Sequence, residues 1–176
     1  MNIDLSSFLD NANEILHFNE KLNPEDLDLS KNGVIIVEPI EYQGEIFRVD
    51  GEKIINIRIS YKYKEICHRC LQPTTKNVET ALSGKLVEGK KVENDNNDND
   101  DEGYDELIFY EEDSLDLNEY VINQVILSLP MKTLCKEDCK GLCPKCGADL
   151  NRSKCDCIHE NIDPRLEKLK EFLPKN

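Results

Sequence analysis

Residues 55–63 read INIRISYKY, and the fold follows from their alternation. Ile55, Ile57, Ile59, Tyr61 and Tyr63 point one way, while Asn56, Arg58, Ser60 and Lys62 point the other. A period of two with one apolar and one polar set predicts a strand with one face buried and one wet. Just upstream, Asp50-Gly51 is a strong hairpin signal, preceded by apolar runs at Val34–Val37 and Ile46–Val49. A second long strand is expected over Asn77–Val87, with Val78, Thr80, Leu82 and Leu86 on one face, and β character resumes at Leu107–Tyr110. The period then changes. Asp116 and Glu119 have the spacing of a capping box, and Pro130 stops the run, which predicts a largely buried helix over 117–129. A last short helix is expected from Asp163-Pro164, carrying Leu166, Leu169 and Leu173 on one side.

The expected fold is therefore α+β. It has an antiparallel sheet or partly open barrel, a buried helix, and a C-terminal cysteine-rich knuckle with a short helix. The chain of 176 residues divides into a β-rich region 1–92, an acidic loop 93–106, a strand and helix at 107–130, and a cysteine-rich segment with its helix at 131–176. The loop, ENDNNDNDDEGYDE, has one aromatic residue and nothing else to set against its ordering entropy, so disorder is expected.

Charge is segregated. The net of −14 comes mostly from residues 1–50, at −8, and residues 93–119, at −13. Residues 52–91 carry +5 and residues 131–154 carry +3. The total disfavours a general nucleic-acid coat or an anionic-membrane binder. At physiological salt, however, the screening length is about 8 Å, so a partner feels a local patch and not the sum. No apolar run exceeds four residues, and the N-terminus MNIDLSSFLD has neither the basic nor the apolar region of a secretion signal. A cytoplasmic protein is the expectation.

In a reducing compartment eight cysteines point to metal ligands or redox groups more than to disulfides. Residues 135–157 read CKEDCKGLCPKCGADLNRSKCDC, with Cys135, Cys139, Cys143, Cys146, Cys155 and Cys157 spaced C-x3-C, C-x2-C and C-x-C. Cys143-Pro-Lys-Cys146-Gly147 has the form of a zinc knuckle. Apart from its cysteines this segment offers only Leu142, Ala148 and Leu150 as core, so metal or docking on the sheet must hold it. Disulfides, free thiols and an iron–sulfur cluster are the alternatives. Spacing alone does not say which four of the six bind one zinc. Cys67 and Cys70, in the turn after the first long strand, would complete a second site with the two left over, or form a reduced pair packed in a tight turn. His68 is a further candidate ligand, whereas His17 and His159 read as surface residues.

No G-x-S-x-G, P-loop or His-Glu-x-x-His motif occurs, and no His-x-Glu precedes the Cys143 knuckle as in zinc deaminases. A zinc held wholly by thiolates is a closed structural site. No enzyme and no small-molecule substrate are expected.

The string CHRCLQP between two strands, an acidic loop, a helix ending in ILSLPMKTLC, the block DCKGLCPKCGADLN, a CDC and finally IDPRLEKLKEFL resemble, in that order, the YceD family of large-ribosomal-RNA accumulation proteins. The resemblance covers about residues 60–176, and residues 1–59 match only in β character. It implies a cytoplasmic bacterial protein that supports synthesis, processing or stability of large-subunit (23S) ribosomal RNA without catalysis. It also implies a core function resting on Cys67, Arg69, Cys70 and the sheet, with one zinc or two as reinforcement. The implied partner is large-subunit RNA or a pre-ribosomal particle, reached directly or through another protein, with no membrane involved. For the contact face, Arg58, Lys62, Lys64 and Arg69 are the candidates. A cytosolic thiol redox or metal-responsive protein using Cys67 and Cys70 is the competing expectation, and a zinc-ribbon transcription module is a third.

Overall fold

The longest pairing in the molecule joins β5 (Glu52–Ile66) to β6 (Pro73–Glu88), antiparallel from Ile54 opposite Lys85 to Ile66 opposite Pro73. The computed structural model describes residues 2–11, 15–23, 33–90 and 106–157 of the chain. Alternation in β5 has the expected result on one face, where Ile55, Ile57, Ile59, Tyr61 and Tyr63 are all buried; on the other, Asn56 and Arg58 are exposed while Ser60 and Lys62 are half-buried. Before β5 comes β4 (Ile40–Val49), joined to it through Asp50 and Gly51 at φ 51° and 88°. Two successive positive φ values make the type I′ turn that matches strand twist, the reason Asp-Gly works there.

Around this hairpin a six-stranded sheet forms in the order β2 (Leu16–Leu22), β4, β5, β6, β7 (Glu106–Tyr110), and the short β3 (Ile35–Ile36) lies beside β5. The sheet is open, not a barrel: among the described residues β2 and β7 are its edges. It is also mixed. β7 pairs parallel to β6, from Gly84 opposite Glu106 to Glu88 opposite Tyr110. The antiparallel expectation fails there because the connection through residues 89–105 is long enough for the return crossing a parallel strand needs.

One face of the sheet is covered. The ribbon of β1 (Asn2–Asp4) and β8 (Ser114–Asp116), helix α1 (Ser6–Asp10) and helix α2 (Asn118–Ser128) bury Leu5, Phe8, Leu115, Leu117, Val121 and Val125 against the isoleucines. Arg48 closes the end of α1, donating to the carbonyls of Phe8 at 2.8 Å and Asn11 at 2.7 Å with its guanidinium over the Phe8 ring. Helix α2 is held at both ends: the Phe109 N–H donates to the Tyr120 hydroxyl at 3.0 Å, and Tyr61 shares a hydrogen bond with Ser128 at 2.8 Å. It differs from expectation in two respects. It starts after Leu117, which stands at the N-cap without a side-chain capping bond, and Asp116 Oδ1 instead accepts the Asn118 N–H at 2.9 Å two residues on. It is also only half-buried, for Ile126 and Leu127 are 44% and 79% exposed. Apart from Glu106, the acidic loop lies outside the described residues, as do the helix expected from Asp163 and His159.

Gly44 is where the sheet tolerates no side chain. A Cβ there would sit 2.2 Å from the Asn56 carbonyl oxygen and 2.7 Å from the Phe18 ring, which lies across the gap the glycine leaves. Gly44→Ala is therefore expected to cost about 1–3 kcal/mol in urea unfolding, the usual penalty for overpacking. An unchanged midpoint would show that β4 shifts freely at this point.

Candidate metal centres

Both C-x2-C turns are built alike. In the tip of the β5–β6 hairpin, the Leu71 N–H donates to the Cys67 carbonyl at 2.9 Å, and in the second turn the Gly147 N–H donates to the Cys143 carbonyl at 2.8 Å. The residue after the second cysteine is left-handed in each, Leu71 at φ 59° and Gly147 at φ 73°. Glycine adopts this conformation at no steric cost, whereas Leu71 is strained in it. The turn also directs N–H groups at the first sulfur, with Cys146 N–H 3.5 Å from Cys143 Sγ.

The eight cysteines gather into two groups of four. Cys67 and Cys70 meet Cys135 and Cys139; Cys143 and Cys146 meet Cys155 and Cys157, with all sulfurs of a group within 4.8 Å of one another. The eight sulfurs thus divide between the hairpin tip and the second loop. The C-x3-C pair joins the hairpin tip, and the C-x2-C and C-x-C pairs join each other. None of the eight forms a disulfide. The first group is the more enclosed, with Cys67, Cys70 and Cys139 buried, while Cys146 of the second is exposed.

The geometry suits a tetrahedral metal. Sulfurs bound at about 2.3 Å lie about 3.8 Å apart along a tetrahedron's edge. Cys67 and Cys139 are 3.8 Å apart and Cys70 and Cys135 3.6 Å. Four sulfurs leave no open position for substrate or water.

Proton affinities within each group are driven apart. Burial raises Cys67, but the N–H groups of Cys70, Arg69 and Cys135 outweigh it and lower the thiol to about 6. At Cys143 the Cys146 N–H is the largest influence, and the result is again about 6, against the opposing effect of burial. Burial first, then hydrogen bonds with Cys139 and Cys70, push Cys135 up to about 12. Cys157 is raised to about 12 by its hydrogen bond with Cys146 and by burial. Four close sulfurs cannot all ionise without a cation between them.

The first group is fastened by more than cysteine. The His68 N–H donates to the Thr133 carbonyl at 2.9 Å, the Tyr63 hydroxyl lies 3.0 Å from Thr133 Oγ1, and Thr133 Oγ1 donates to the Glu65 carboxylate. His68 Nε2 is 3.1 Å from the other Glu65 oxygen. His68 thus faces a carboxylate beside four cysteines and is not among the clustered ligands. Arg69 donates from Nη1 to the Cys139 carbonyl at 2.8 Å, and Lys76 from Nζ to the Cys135 carbonyl at 3.3 Å. Asn151 from the second loop donates to Cys139 Sγ at 3.4 Å. Sequence reasoning missed Glu65, Thr133 and Asn151, because a lone polar residue in a strand or loop carries no spacing signal.

The predicted contact residues are placed differently from one another. Arg58 lies exposed on the open face of the sheet, in a groove also lined by His17, Asn19, Gln43, Glu45, Asn56 and Ser83. Lys64 is exposed on the same face, nearer the hairpin tip. Lys62 is paired with Glu38 at 2.5 Å, and Arg69 is bound into the cysteine group. With Lys21–Glu41 and Lys85–Glu52 also paired at 2.6 Å, this face is a mosaic of charge and not a basic plate.

An open mixed sheet whose hairpin tip is tied to a double cysteine module defines a protein with two four-cysteine groups, each able to hold a metal ion. Residues 55–173 match the family model described as large ribosomal RNA subunit accumulation protein YceD, and the chain belongs to that family. An uncharacterized protein of Mycobacterium tuberculosis is 36% identical over 107 residues, covering 61% of this chain and 49% of the relative. The large ribosomal RNA subunit accumulation protein YCED homolog 1, chloroplastic, of Arabidopsis thaliana is 40% identical over 53 residues, 30% of this chain and 16% of the relative. Its Zea mays counterpart is 35% identical over 49 residues, 27% and 17% respectively. The chain spans about half the length, or less, of these curated relatives. No solved structure matches it. Among the described residues no helix is long and apolar enough to cross a membrane.

Metal uptake is expected to release protons near neutral pH, because Cys135 and Cys157 hold theirs up to about 12. Affinity should fall steeply as pH drops through about 6, where Cys67 and Cys143 also take up protons and compete with the cation. Competition against a chromophoric chelator between about pH 8 and about pH 5 measures this. A flat profile would mean that the thiols are not the ligands.

Proposed function

We propose that this protein is a non-enzymatic, cytoplasmic factor that supports the accumulation of large-subunit (23S) ribosomal RNA, and that each cysteine group holds one structural zinc. The observation that carries the reading is the pair of closed four-sulfur groups in a chain of this family. Among first-row metals, zinc is the one that all-thiolate tetrahedra of knuckle type most often serve. The partner would be large-subunit RNA or a precursor particle, met directly or through a bound protein. Arg58 and Lys64 would be the contact cations, since Lys62 and Arg69 are engaged within the chain. The competing redox role for Cys67 and Cys70 is disfavoured by burial: Cys67 is 0% and Cys70 2% exposed, and thiol exchange requires access to an attacking sulfur.

Purified under reducing conditions without chelator, the protein is expected to carry two zinc ions per chain by elemental analysis. Cys143→Ser should leave one and render residues 141–157 protease-sensitive while the sheet stays intact. Zinc-free protein would overturn the metal assignment.

In cells lacking the native copy, Arg58→Glu with Lys64→Glu is expected to lower 23S RNA relative to 16S and to shift the protein off precursor particles in a sucrose gradient. Repeating the gradient at rising salt would report how electrostatic the contact is. Normal 23S accumulation with folded, abundant variant would exclude this face.

A further inference from the structure

The two cysteine groups are not separate modules. Only three residues lie between Cys139 of the first and Cys143 of the second, and side chains cross from each loop to the other. Arg69, inside the hairpin-tip turn, accepts the Leu142 N–H on its carbonyl at 3.1 Å while its guanidinium holds the Cys139 carbonyl. Gly141 packs so closely on Arg69 that a Cβ would stand 3.0 Å from that same carbonyl. From the other side, the second loop folds back through Cys143 N–H to the Ala148 carbonyl at 2.8 Å and Leu150 N–H to the Gly141 carbonyl at 3.0 Å. That fold delivers Asn151. Its Oδ1 accepts the Lys140 N–H at 2.9 Å, and its Nδ2 donates both to Asp149 Oδ1 at 2.9 Å and to Cys139 Sγ at 3.4 Å.

We propose that Asn151 is a positioning residue that couples the two metal sites, so that the chain fills both together and not one at a time. The inference rests on the reading of both groups as metal sites. Asn151 lies between Cys146 and Cys155, so metal in the second group orders the loop that carries it. The ordered amide then supports a sulfur of the first group, and groups of this kind around a metal are worth about 10–100-fold in affinity. Linkage makes the effect reciprocal. Metal in the first group fixes Cys139 and Lys140, the two residues that Asn151 grips, and so prepares the second loop for its own ion.

The test is a zinc titration of the reduced, metal-stripped full chain, followed by native mass spectrometry. At half-saturation the wild type should show empty and doubly loaded chains, with the singly loaded species below its statistical share. In Asn151→Ala the singly loaded species should dominate. Alkylation mapping should then find Cys67, Cys70, Cys135 and Cys139 reactive, and Cys143, Cys146, Cys155 and Cys157 protected. Asn151→Asp keeps the oxygen that accepts the Lys140 N–H but loses both donations of Nδ2, to Cys139 Sγ and to Asp149 Oδ1, so it should behave as the alanine variant. Asp149→Ala separates the two, since it removes the loop bonds to Asn151 but leaves the donor to Cys139 Sγ, and it should keep the wild-type distribution. Singly loaded wild-type chains at or above the statistical share would overturn the proposal, as would an aspartate variant indistinguishable from wild type. A chain that takes up no zinc at all would instead overturn the underlying metal reading.

Discussion

Everything here depends on the register of β5 against β6. That pairing places five large apolar side chains of β5 on one face and, at its far end, brings Cys67 and Cys70 into a turn closed by the Cys67 N–H to Gln72 carbonyl bond of 2.8 Å. A slip of one residue would turn Ile55 to Tyr63 toward water and the polar set inward. It would also move the turn's sulfurs away from those of Cys135 and Cys139. Core burial and cysteine geometry thus constrain the same register from the two ends of one hairpin, and each excludes the alternative pairing that the other would have to tolerate.

The remaining elements distribute around that hairpin according to which face they can serve. Helix α2 and the β1–β8 ribbon supply an apolar cover, and the sheet's other face stays wet, with cations mostly matched to neighbouring carboxylates. Exposed pairs of this kind contribute little to stability, typically under about 1 kcal/mol, and their effect is to neutralise the surface. Arg58 is exposed on this face, in a groove it shares with Glu45, His17, amides and a serine.

The sequence disclosed those parts in which one physical rule acts alone. Strict alternation located β5, Asp-Gly located its turn, and a change of period located α2. It was silent where context decides. β2 places Glu20 in line with Leu16, Phe18 and Leu22, so its alternation is blurred, and β1 is too short to show any. The parallel placement of β7 follows from a connection whose length is visible but whose path is not. The spacing of the cysteines identified a candidate metal-binding segment without its partition, since pairing Cys135 and Cys139 with the hairpin tip is a fact of tertiary structure. Lys62 and Arg69 looked like free cations because their acceptors, Glu38 and the Cys139 carbonyl, lie 24 and 70 residues away.

The first cysteine group also imposes an order in time on the chain's own birth. A ribosome adds about 5–20 residues per second, so Cys67 and Cys70 emerge several seconds before Cys135 and Cys139. During that interval the hairpin can already close its turn and aim backbone N–H groups at Cys67, but it holds only two of the group's four sulfurs. A nascent chain paused between β6 and α2 therefore presents a reactive pair of thiols, later to be buried. Oxidation during synthesis, at this one place, would do damage that the finished protein is shielded from.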